Sequence, residues 1–473
     1  MAEFEGKNRE TSARAIAIFC AAHISLGFLL FNILGNIQQT AAATIFISLV
    51  TGTLLFWRFR VAIAFIGIVI LMITGTIDLE HTVKFMSLDV ILFLIGMMVI
   101  VGLLRRSGFF RWLLAKGLEI SRFRPHLLLV IIILLSATMA ALVDEVTSIL
   151  FTTALVLDFS DFFEVKAVRL TMVVVIATNI GSSWTVLGNP IGILIALRSG
   201  LTFGDFLMNS LPVGLLSLAA IIILALWWMK RDLRYFRMRI EKTSGEEKEN
   251  FIRTLKTVKD KKCFAGSTAI FLFVIISLAM HNRLEIALGL QHNTLLVGSS
   301  LLGAGITMLW QREMARSLIM KEVDWWTLVF FMFLFAKAGA LEYTGITDLI
   351  GEQLYSLTGG GGAALLIILI LWLTAFSSAA ADNVVVVATF IPVIQYLTAH
   401  TGNEQLWWAL LFGGCYGGNM TMVGSTANII ALGILEEKKE YIMTLRYWIK
   451  LGLAGALIPM VIGTMALLLL LLF

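Results

Sequence analysis

The sequence predicts an all-α, polytopic membrane protein with two inverted repeats, each containing a re-entrant hairpin and a discontinuous helix. Three observations support this fold class. Hydrophobic residues make up 59% of the 473 residues and charged residues only 14%, whereas about a quarter of a soluble domain is charged. The apolar residues fall in blocks of roughly 17 to 23 residues, the length that crosses a bilayer core. Two pairs of polar motifs recur at nearly one spacing along the chain.

The uninterrupted apolar blocks are predicted to be full membrane spans. They cover residues 16–34, 39–57, 61–77, 85–104, 208–229, 264–280, 294–310, 325–342 and 447–473. Polar clusters interrupt four further apolar stretches, at residues 126–160, 168–198, 361–398 and 405–435. Water cannot satisfy backbone groups inside hydrocarbon, so these interruptions must face protein or a wet cavity. A soluble protein is therefore excluded.

Basic residues are concentrated in some of the loops between spans. They crowd residues 105–125 and 230–262, whereas residues 199–209 and 343–360 contain no Lys or Arg. Because Lys and Arg stay on the cytoplasmic side, the basic loops are predicted to lie inside. We therefore expect a multi-pass protein of the cell inner (plasma) membrane, with a cytoplasmic N-terminus and an outside C-terminus. The hairpin 126–160 should enter from the cytoplasm, and the hairpin 361–398 from outside.

The two halves of the chain contain matching motifs. ADNVVVVATFIP at 381–392 aligns with VDEVTSILFTTA at 143–154, and TMVG at 421–424 aligns with TVLG at 185–188. The loop before the first hairpin is basic and its counterpart is not, so the halves should have opposite orientations, an arrangement typical of secondary transporters. The predicted domains are an extra N-terminal span at 1–38, repeat 1 at 39–229, a cytoplasmic basic linker at 230–262 and repeat 2 at 263–473.

Carboxylates occur at the predicted hairpin tips, in Asp144-Glu145 and Asp382-Asn383. A carboxylate in hydrocarbon costs roughly 2.5–3.5 kcal/mol on insertion scales and is a functional candidate. Two other interpretations remain open. The aspartates could lie in exposed loops between short spans, or they could cap half-helices that start at residues 146 and 384. Capping and ligand contact are compatible. Glu145 is the less certain candidate because its repeat counterpart, Asn383, is neutral.

Polar clusters at 178–190 and 417–428 interrupt the predicted discontinuous helices. Their Gly, Ser, Thr, Asn and Pro residues should break the helix and leave free backbone amides and carbonyls. Broken helix ends suit anions and cations, and the side-chain hydroxyls and amides suit an ion or a polyol-like solute. Close helix packing through small residues is the alternative. Because both clusters occupy matching positions in the repeats, the binding function is favoured.

Several other functions find no support in the sequence. It contains no GxxxxGK[ST] phosphate-binding loop, the cysteines Cys20, Cys263 and Cys415 are far apart, and the histidines are scattered. We therefore expect no enzymatic activity, no cofactor, no metal cluster and no nucleic-acid partner. Lys337, inside the span 325–342, is predicted to extend its ammonium group towards the outer interface; the alternative is a gating partner for Asp382.

The motifs DEVTSILF at 144–151, ATNIGSSWTVLGNP at 177–190, ADNVVVVATFIP at 381–392 and GGNMTMVGSTANIIALGI at 417–434 resemble the ArsB/NhaD branch of the ion transporter superfamily. This branch includes arsenite permeases, NhaD-type sodium/proton antiporters and pink-eyed-dilution-type proteins. The resemblance implies a scaffold domain and a transport domain, the latter made of two hairpins and two broken helices. It places solute or ion sites on Asp144, Thr147, Asn179, Ser183, Thr185, Asn189, Asp382, Asn383, Asn419, Thr421, Ser425 and Asn428. The polar patterns add Glu145, Ser182, Gly188 and Gly424.

The sequence departs from the family pattern at its first hairpin and first broken helix. It has DEV where relatives often have DNV, GNPIG where many have GDPPN, and it lacks the SNT signature of dicarboxylate carriers. The leading hypothesis is proton-coupled efflux of a small inorganic solute, namely arsenite or antimonite. The alternatives are an NhaD-type sodium/proton antiporter with sodium at Asp144 and Asp382, an anion or dicarboxylate transporter, and a non-transporting membrane scaffold. Expected partners are membrane lipid, the solute with protons or sodium, a soluble ATPase and a second copy of the chain.

Overall fold

A computed structural model describes residues 2–258, 260–360, 362–437 and 443–472, with side-chain surroundings described from residue 14 onwards. Every long regular element in these residues is an α-helix. Eleven of the described helices are long and apolar enough to cross a membrane. The predicted all-α, multi-pass class is therefore confirmed.

The helices follow one another with short connections. In chain order they are α1 (Ala2–Leu34), α2 (Ile37–Leu55), α3 (Arg60–Ile73), α4 (Leu79–Phe85), α5 (Leu88–Arg106), α6 (Phe109–Ser121), α7 (Pro125–Leu142), α8 (Glu145–Phe163), α9 (Val168–Gly181), α10 (Pro190–Ser199), α11 (Phe203–Asp205), α12 (Leu211–Trp228), α13 (Lys230–Lys242), α14 (Gly245–Lys256), α15 (Lys261–Leu288), α16 (Thr294–Trp310), α17 (Ala315–Glu322), α18 (Trp325–Tyr343), α19 (Ile346–Leu357), α20 (Ala363–Ala380), α21 (Asn383–Thr401), α22 (Gln405–Gly417), α23 (Thr426–Glu437) and α24 (Leu445–Leu470). Short 3₁₀ turns lie at Trp57–Phe59 and Gly418–Met420, and a π turn at Phe206–Ser210.

The chain forms two compact units. The first comprises Met1–Leu88 and Trp325–Leu357, and the second comprises Asp89–Asp324 and Thr358–Phe473. Each unit therefore takes segments from both predicted repeats, and the basic linker does not separate the units. The boundaries of the repeats and their opposite orientation stay predictions.

The first unit has an apolar core between α3 and α18. Ile68 and Leu71 pack there with Ala336 and Ala340. Lys337 is buried beside this core, with 1% of its surface exposed, and its ammonium donates a hydrogen bond to the carbonyl of Ile63 at 3.1 Å. The predicted extension of Lys337 towards the interface is wrong, because the absence of a side chain at Gly67 leaves room for the ammonium between the helices.

The second unit contains both predicted hairpins and both interrupted helices. The hairpins are α7–α8 and α20–α21, and the interrupted helices are α9–α10 and α22–α23. Local sequence explains these elements. Pro125 begins α7 at its first position, where a missing N–H costs nothing, and Gly402 ends α21 with a φ of 67°, which glycine adopts without strain. Of the three cysteines, Cys20 is exposed and Cys263 and Cys415 are buried.

Candidate functional site

The two hairpin tips are built around N-capping aspartates. Asp144 precedes α8 and accepts hydrogen bonds from the backbone N–H and the hydroxyl of Thr147, both at 2.7 Å. Asp382 precedes α21 and accepts from the backbone N–H of Val384 at 3.0 Å and from the hydroxyl of Thr426 at 2.6 Å. The capping interpretation is correct for both residues, and each helix begins one residue earlier than expected, at Glu145 and Asn383.

Neither tip is an exposed loop. Asp382 is 5% exposed and Asp144 is half-buried. Each tip is a turn of only two residues between helices, and the following residues, Glu145 and Asn383, are 1% and 0% exposed. The exposed-loop alternative therefore does not describe these carboxylates.

Each hairpin holds the interrupted helix of its own half through equivalent contacts. The hydroxyl of Thr185 donates to the carbonyl of Ala141, three residues before Asp144. In the second half the hydroxyl of Thr421 donates to the carbonyl of Ala379, three residues before Asp382, at 2.6 Å. The two halves thus anchor their unwound segments to their hairpin tips in the same way.

Glycines allow the backbones to approach closely at these anchors. A Cβ at Gly181 would lie 2.1 Å from the carbonyl oxygen of Ala137, and one at Gly417 would lie 2.4 Å from that of Ala375. Within the unwound segments, a Cβ at Gly188 would lie 2.1 Å from the oxygen of Ser182, and one at Gly424 would lie 2.6 Å from that of Gly418. For Gly188 and Gly424 the packing alternative therefore describes the geometry: no side chain fits there.

Asn179 joins the interrupted helices of the two halves. Its side-chain nitrogen donates to the amide oxygens of Asn419 at 2.7 Å and Asn428 at 2.9 Å, and its oxygen accepts from the Ser425 hydroxyl at 3.1 Å. Asn428 in turn donates to the carbonyls of Gly418 and Thr421, both at 2.8 Å. All four side chains are fully buried, so this network satisfies free carbonyls of the broken segment.

A second polar group surrounds the start of α10. Asn189 caps this helix by accepting from the N–H of Gly192 at 2.9 Å, and it donates to the hydroxyl of Ser182 at 2.9 Å and the sulfur of Cys415 at 3.1 Å. The Ser183 hydroxyl donates to the carbonyl of Ile180 at 2.8 Å and lies 3.2 Å from the hydroxyl of Tyr416. The predicted serines thus bond to protein groups rather than pointing into open space.

Glu145 and Asn383 differ from all these residues. One carboxylate oxygen of Glu145 and both polar side-chain atoms of Asn383 are buried, and none of them makes a hydrogen bond of good geometry within the described part of the chain. Glu145 faces the side chains of Asn189 and Asn383 and interacts electrostatically with Asp144 and Asp382. A buried polar atom without a partner costs about 1–3 kcal/mol. The juxtaposition of several such atoms between the hairpin tips therefore favours a ligand or proton at this point.

All sixteen predicted site residues lie in the second unit. Several residues that interact with the site were not among them, including Thr426 and Arg105 as well as Cys415 and Tyr416. Thr426 hydrogen-bonds to Asp382, and Arg105 interacts electrostatically with Asp144. Thr426 directly follows Ser425 in the polar cluster, so its position was a usable signal. For Arg105 there was no such signal, because the positive charge of its loop is already explained by a position on the cytoplasmic side of the membrane.

Comparisons with known proteins agree with a transporter. The model of the CitMHS family, described as citrate transporter, matches residues 46–413. An uncharacterized transporter of Mycobacterium tuberculosis is 30% identical over 350 residues, which cover 73% of this chain and 78% of that protein. The 46 kDa membrane protein of Mycobacterium leprae is 30% identical over 354 residues, which cover 74% and 79%.

More distant similarity extends to animal proteins. The human P protein is 22% identical over 435 residues, which cover 76% of this chain and 51% of that protein. The comparisons do not show the ArsB/NhaD branch in particular, so that finer assignment stays a prediction. The family match spans well over half of the chain and includes both hairpins and the first interrupted helix. The chain belongs to the CitMHS citrate transporter family of membrane permeases.

Proposed function

We propose that this secondary transporter couples the movement of a small, oxygen-rich solute to protons, with Glu145 as the proton carrier between the hairpin tips. One observation carries the proposal. The Glu145 carboxylate is 1% exposed, and one of its oxygens makes no hydrogen bond of good geometry with the described residues, although the amides of Asn189 and Asn383 lie close to it. A carboxylate that only stabilised the fold would have both oxygens satisfied.

Glu285 illustrates that structural alternative in the same unit. It is also buried, at 2% exposed, but its two carboxylate oxygens accept hydrogen bonds from the backbone N–H groups of Asn293 at 3.1 Å and Leu295 at 2.7 Å. Glu285 thus closes the turn between α15 and α16. Within the described part of the chain Glu145 accepts no such pair of backbone hydrogen bonds, which supports its assignment to transport.

The neighbouring carboxylates supply a reason for proton binding. Glu145 interacts with Asp144 and Asp382, and two like charges about 4 Å apart repel by about 4 kcal/mol at an effective dielectric constant of 20. A proton on Glu145 removes its share of this repulsion. Loading and release of that proton would therefore change how readily a solute enters the space between the tips.

The family description favours a citrate-type carboxylate as the solute, and we place it first. Arsenite is the second candidate, because uncharged arsenous acid offers hydroxyls to the amides and hydroxyls around the tips. It needs no thiol ligand there, and the nearby thiol, Cys415, already accepts a hydrogen bond from Asn189. Sodium/proton antiport is the remaining outcome that the experiment below distinguishes.

The test uses the full chain in proteoliposomes with an imposed pH gradient. Citrate, arsenite and sodium are offered separately while solute uptake and internal pH are recorded. We expect citrate movement that collapses with a protonophore. Glu145→Gln should abolish proton-coupled movement, a loss of at least about a hundredfold for a group acting in proton transfer, whereas Glu285→Gln should retain coupling.

Three results would contradict parts of the proposal. Equal coupling in Glu145→Gln and the unmodified protein would reject Glu145 as the proton carrier. Movement of arsenite without citrate would select the second candidate solute. Proton release driven by sodium alone would identify an antiporter and overturn both candidate solutes.

A further inference from the structure

A cavity of about 360 Å³ lies between the start of the first hairpin and the basic linker at residues 230–262. Its lining includes Arg124 and His126 at the start of α7, and Arg237 and Glu241 on α13. All four residues are exposed, so a molecule outside the protein can reach the cavity. A cavity of this size can hold a small molecule or the headgroup of a lipid.

The cavity lies where candidate membrane spans end. Pro125, which also lines the cavity, is the first residue of one span, and Trp228 is the last residue of another. The basic helix α13 begins two residues later, at Lys230. At these span ends, Leu127 is 39% and Trp227 73% exposed, and such exposed aromatic side chains are typical of the membrane interface. The cavity is therefore at the level of the lipid headgroups.

The helix α13 has an apolar side and a basic side. Leu233, Phe236 and Ile240 recur at the spacing of one helix face and are buried. The helix contains six basic residues and two acidic ones, and all of the basic residues except Arg239 are exposed. A basic amphipathic helix that directly follows a membrane span is typical of a segment that binds anionic lipid.

Two arginines from different helices meet at the cavity. None of the ion pairs between described residues includes Arg124, and its side chain makes no capping bond to α7. The Nε of Arg237 donates to Glu241 at 2.8 Å, which uses one of the five N–H donors of that guanidinium. Two arginines therefore face one carboxylate, and the surroundings of the cavity favour an anion.

We propose that this cavity binds the phosphate group of an anionic phospholipid, with Arg124 and Arg237 as its ligands. Guanidinium groups bind phosphate oxygens through paired N–H donors, and basic pockets beside membrane spans are suited to lipid headgroups. A headgroup held by both arginines would join the linker helix α13 to the first helix of the first hairpin. The proposal does not depend on which solute the protein transports.

The linker helix is also bonded to other elements of the first half. The Nε of Arg239 donates to the carbonyl of Phe163, the last residue of α8, at 3.2 Å. The carboxylate of Asp232 accepts a hydrogen bond from Arg169, near the start of α9, at 2.7 Å. A lipid bound between Arg124 and Arg237 would add a third attachment, at the other end of the hairpin. We therefore expect the lipid to stabilise the folded protein.

A basic helix at a membrane surface also attracts anionic lipid without a defined site, so the control must remove an equivalent charge elsewhere. Arg253→Ala meets this requirement. Arg253 on α14 pairs with Glu249, four residues away, as Arg237 pairs with Glu241, and the two arginine side chains are 76% and 72% exposed. Arg253 does not line the cavity.

The test measures the binding of fluorescent phosphatidylglycerol and phosphatidylcholine to the full chain in detergent micelles. We expect phosphatidylglycerol to bind more tightly by about tenfold or more. Arg124→Ala and Arg237→Ala should each weaken its binding about fivefold, the effect of one basic residue near an anionic membrane surface, whereas Arg253→Ala should change it less than about twofold. Phosphatidylglycerol should also raise the unfolding temperature of the unmodified protein more than that of Arg124→Ala.

Three results would overturn the proposal. An equal loss of phosphatidylglycerol binding in Arg253→Ala would show diffuse attraction to the linker rather than a site. Equal affinities for the two lipids would reject an anionic headgroup as the ligand. Displacement of the lipid by millimolar glycerol phosphate would assign the cavity to a soluble phosphate compound instead. Unfolding of each variant without added lipid shows that it is folded, which we expect because the substituted side chains are exposed.

Discussion

The two hairpin tips have the same backbone plan and different chemistry. Asp144 satisfies its oxygens within its own helix, through the N–H and hydroxyl of Thr147. Asp382 accepts one hydrogen bond from its own helix, from the N–H of Val384, and another from the hydroxyl of Thr426 at the start of α23. The next residue is a carboxylate in the first half, Glu145, and an amide in the second, Asn383. The hydrogen bonds of Asp144 are therefore local to its own helix, whereas Asp382 is also bonded to a separate helix.

Accessibility also differs between the halves. In the first half Asp144 is half-buried, while the unwound segment at residues 182–189 is entirely buried. In the second half Asp382 is 5% exposed, while Val423 in the unwound segment is 42% exposed. In the first half the aspartate at the tip is therefore the more accessible part, and in the second half it is the unwound segment. The two halves share one backbone arrangement but leave different groups accessible, so they can have different roles.

We expect the largest effect from substitutions that disturb the backbone packing common to both halves. Gly181→Ala and Gly417→Ala would place a Cβ 2.1 Å and 2.4 Å from the backbone oxygens of Ala137 and Ala375. Because neither backbone can yield without moving a whole helix, each substitution should lower the free energy of unfolding by up to about 3 kcal/mol. Thermal unfolding in detergent would measure both effects.

Gly433→Ala is the matched control for these two variants. A Cβ at Gly433 in α23 meets nothing within 4 Å, and alanine is favoured over glycine inside a helix by about 1 kcal/mol. We expect this variant to be at least as stable as the unmodified protein. If Gly181→Ala destabilises and Gly417→Ala does not, the halves are not equivalent in their packing.

A smaller effect on stability should distinguish the two aspartates, Asp144 and Asp382. Thr426→Val removes the 2.6 Å hydrogen bond to Asp382 and should cost about 1.5–3 kcal/mol, since a bond to a charged, buried group is lost. Thr147→Val removes the equivalent hydroxyl from Asp144 but leaves its backbone bond at 2.7 Å. Because Asp144 keeps that backbone bond and is only half-buried, we expect about 1 kcal/mol or less there.

Thermal unfolding of these two threonine variants under identical conditions checks the order of the effects. A larger loss in Thr147→Val than in Thr426→Val would show that the first tip, not the second, depends on its hydroxyl. The hydrogen bond between Thr426 and α21 would then not be what distinguishes the second tip from the first.

The smallest expected effect concerns the loop before the first hairpin, which is basic, unlike its counterpart at residues 343–360. In that loop Glu119 pairs with Lys256 of α14 and lies 3.5 Å from Lys116. The hydrogen bond from Lys256 holds the pKa of the Glu119 carboxyl below its usual value of 4.5. This pair therefore stabilises the fold above about pH 4.5, and its contribution is lost as the pH falls through the lowered value.

We expect Lys256→Ala to reduce stability at pH 7 by less than about 1 kcal/mol, because the pair is partly exposed. It should also weaken the loss of stability between pH 5 and about pH 3, as thermal unfolding across that range would show. Lys116→Ala, which removes the longer contact, is the control and should change the profile less. An unchanged profile in Lys256→Ala would contradict the assignment of the pair.

Much of the architecture could be predicted because hydrocarbon imposes simple length and polarity rules on a sequence. The apolar blocks became helices such as α5 and α12, and the polar interruptions became turns and unwound segments. The capping by Asp144 and Asp382 was also predictable, since aspartate before a helix has few other local uses. Boundaries were less accurate: α15 continues to Leu288, past the polar residues 281–283 that ended the predicted span.

The parts that could not be predicted depend on contacts between distant segments. Lys337 could be recognised as a lysine inside an apolar span, but its burial follows from the space at Gly67 on another helix. The hydrogen bond between Thr426 and Asp382 likewise joins residues 44 positions apart. Periodicity and composition describe one segment at a time, so they contain no information about such pairs.

The distribution of thiols offers a direct route to the orientation of the halves. Cys20 is exposed, whereas Cys263 and Cys415 are buried, so replacing Cys20 alone should leave a background that reacts poorly with membrane-impermeant maleimides. Cys415 can then be retained as the hydrogen-bond partner of Asn189. Single reporter cysteines placed in the segments 199–209 and 343–360 of this background would show, by labelling intact cells, which face of the membrane each segment occupies.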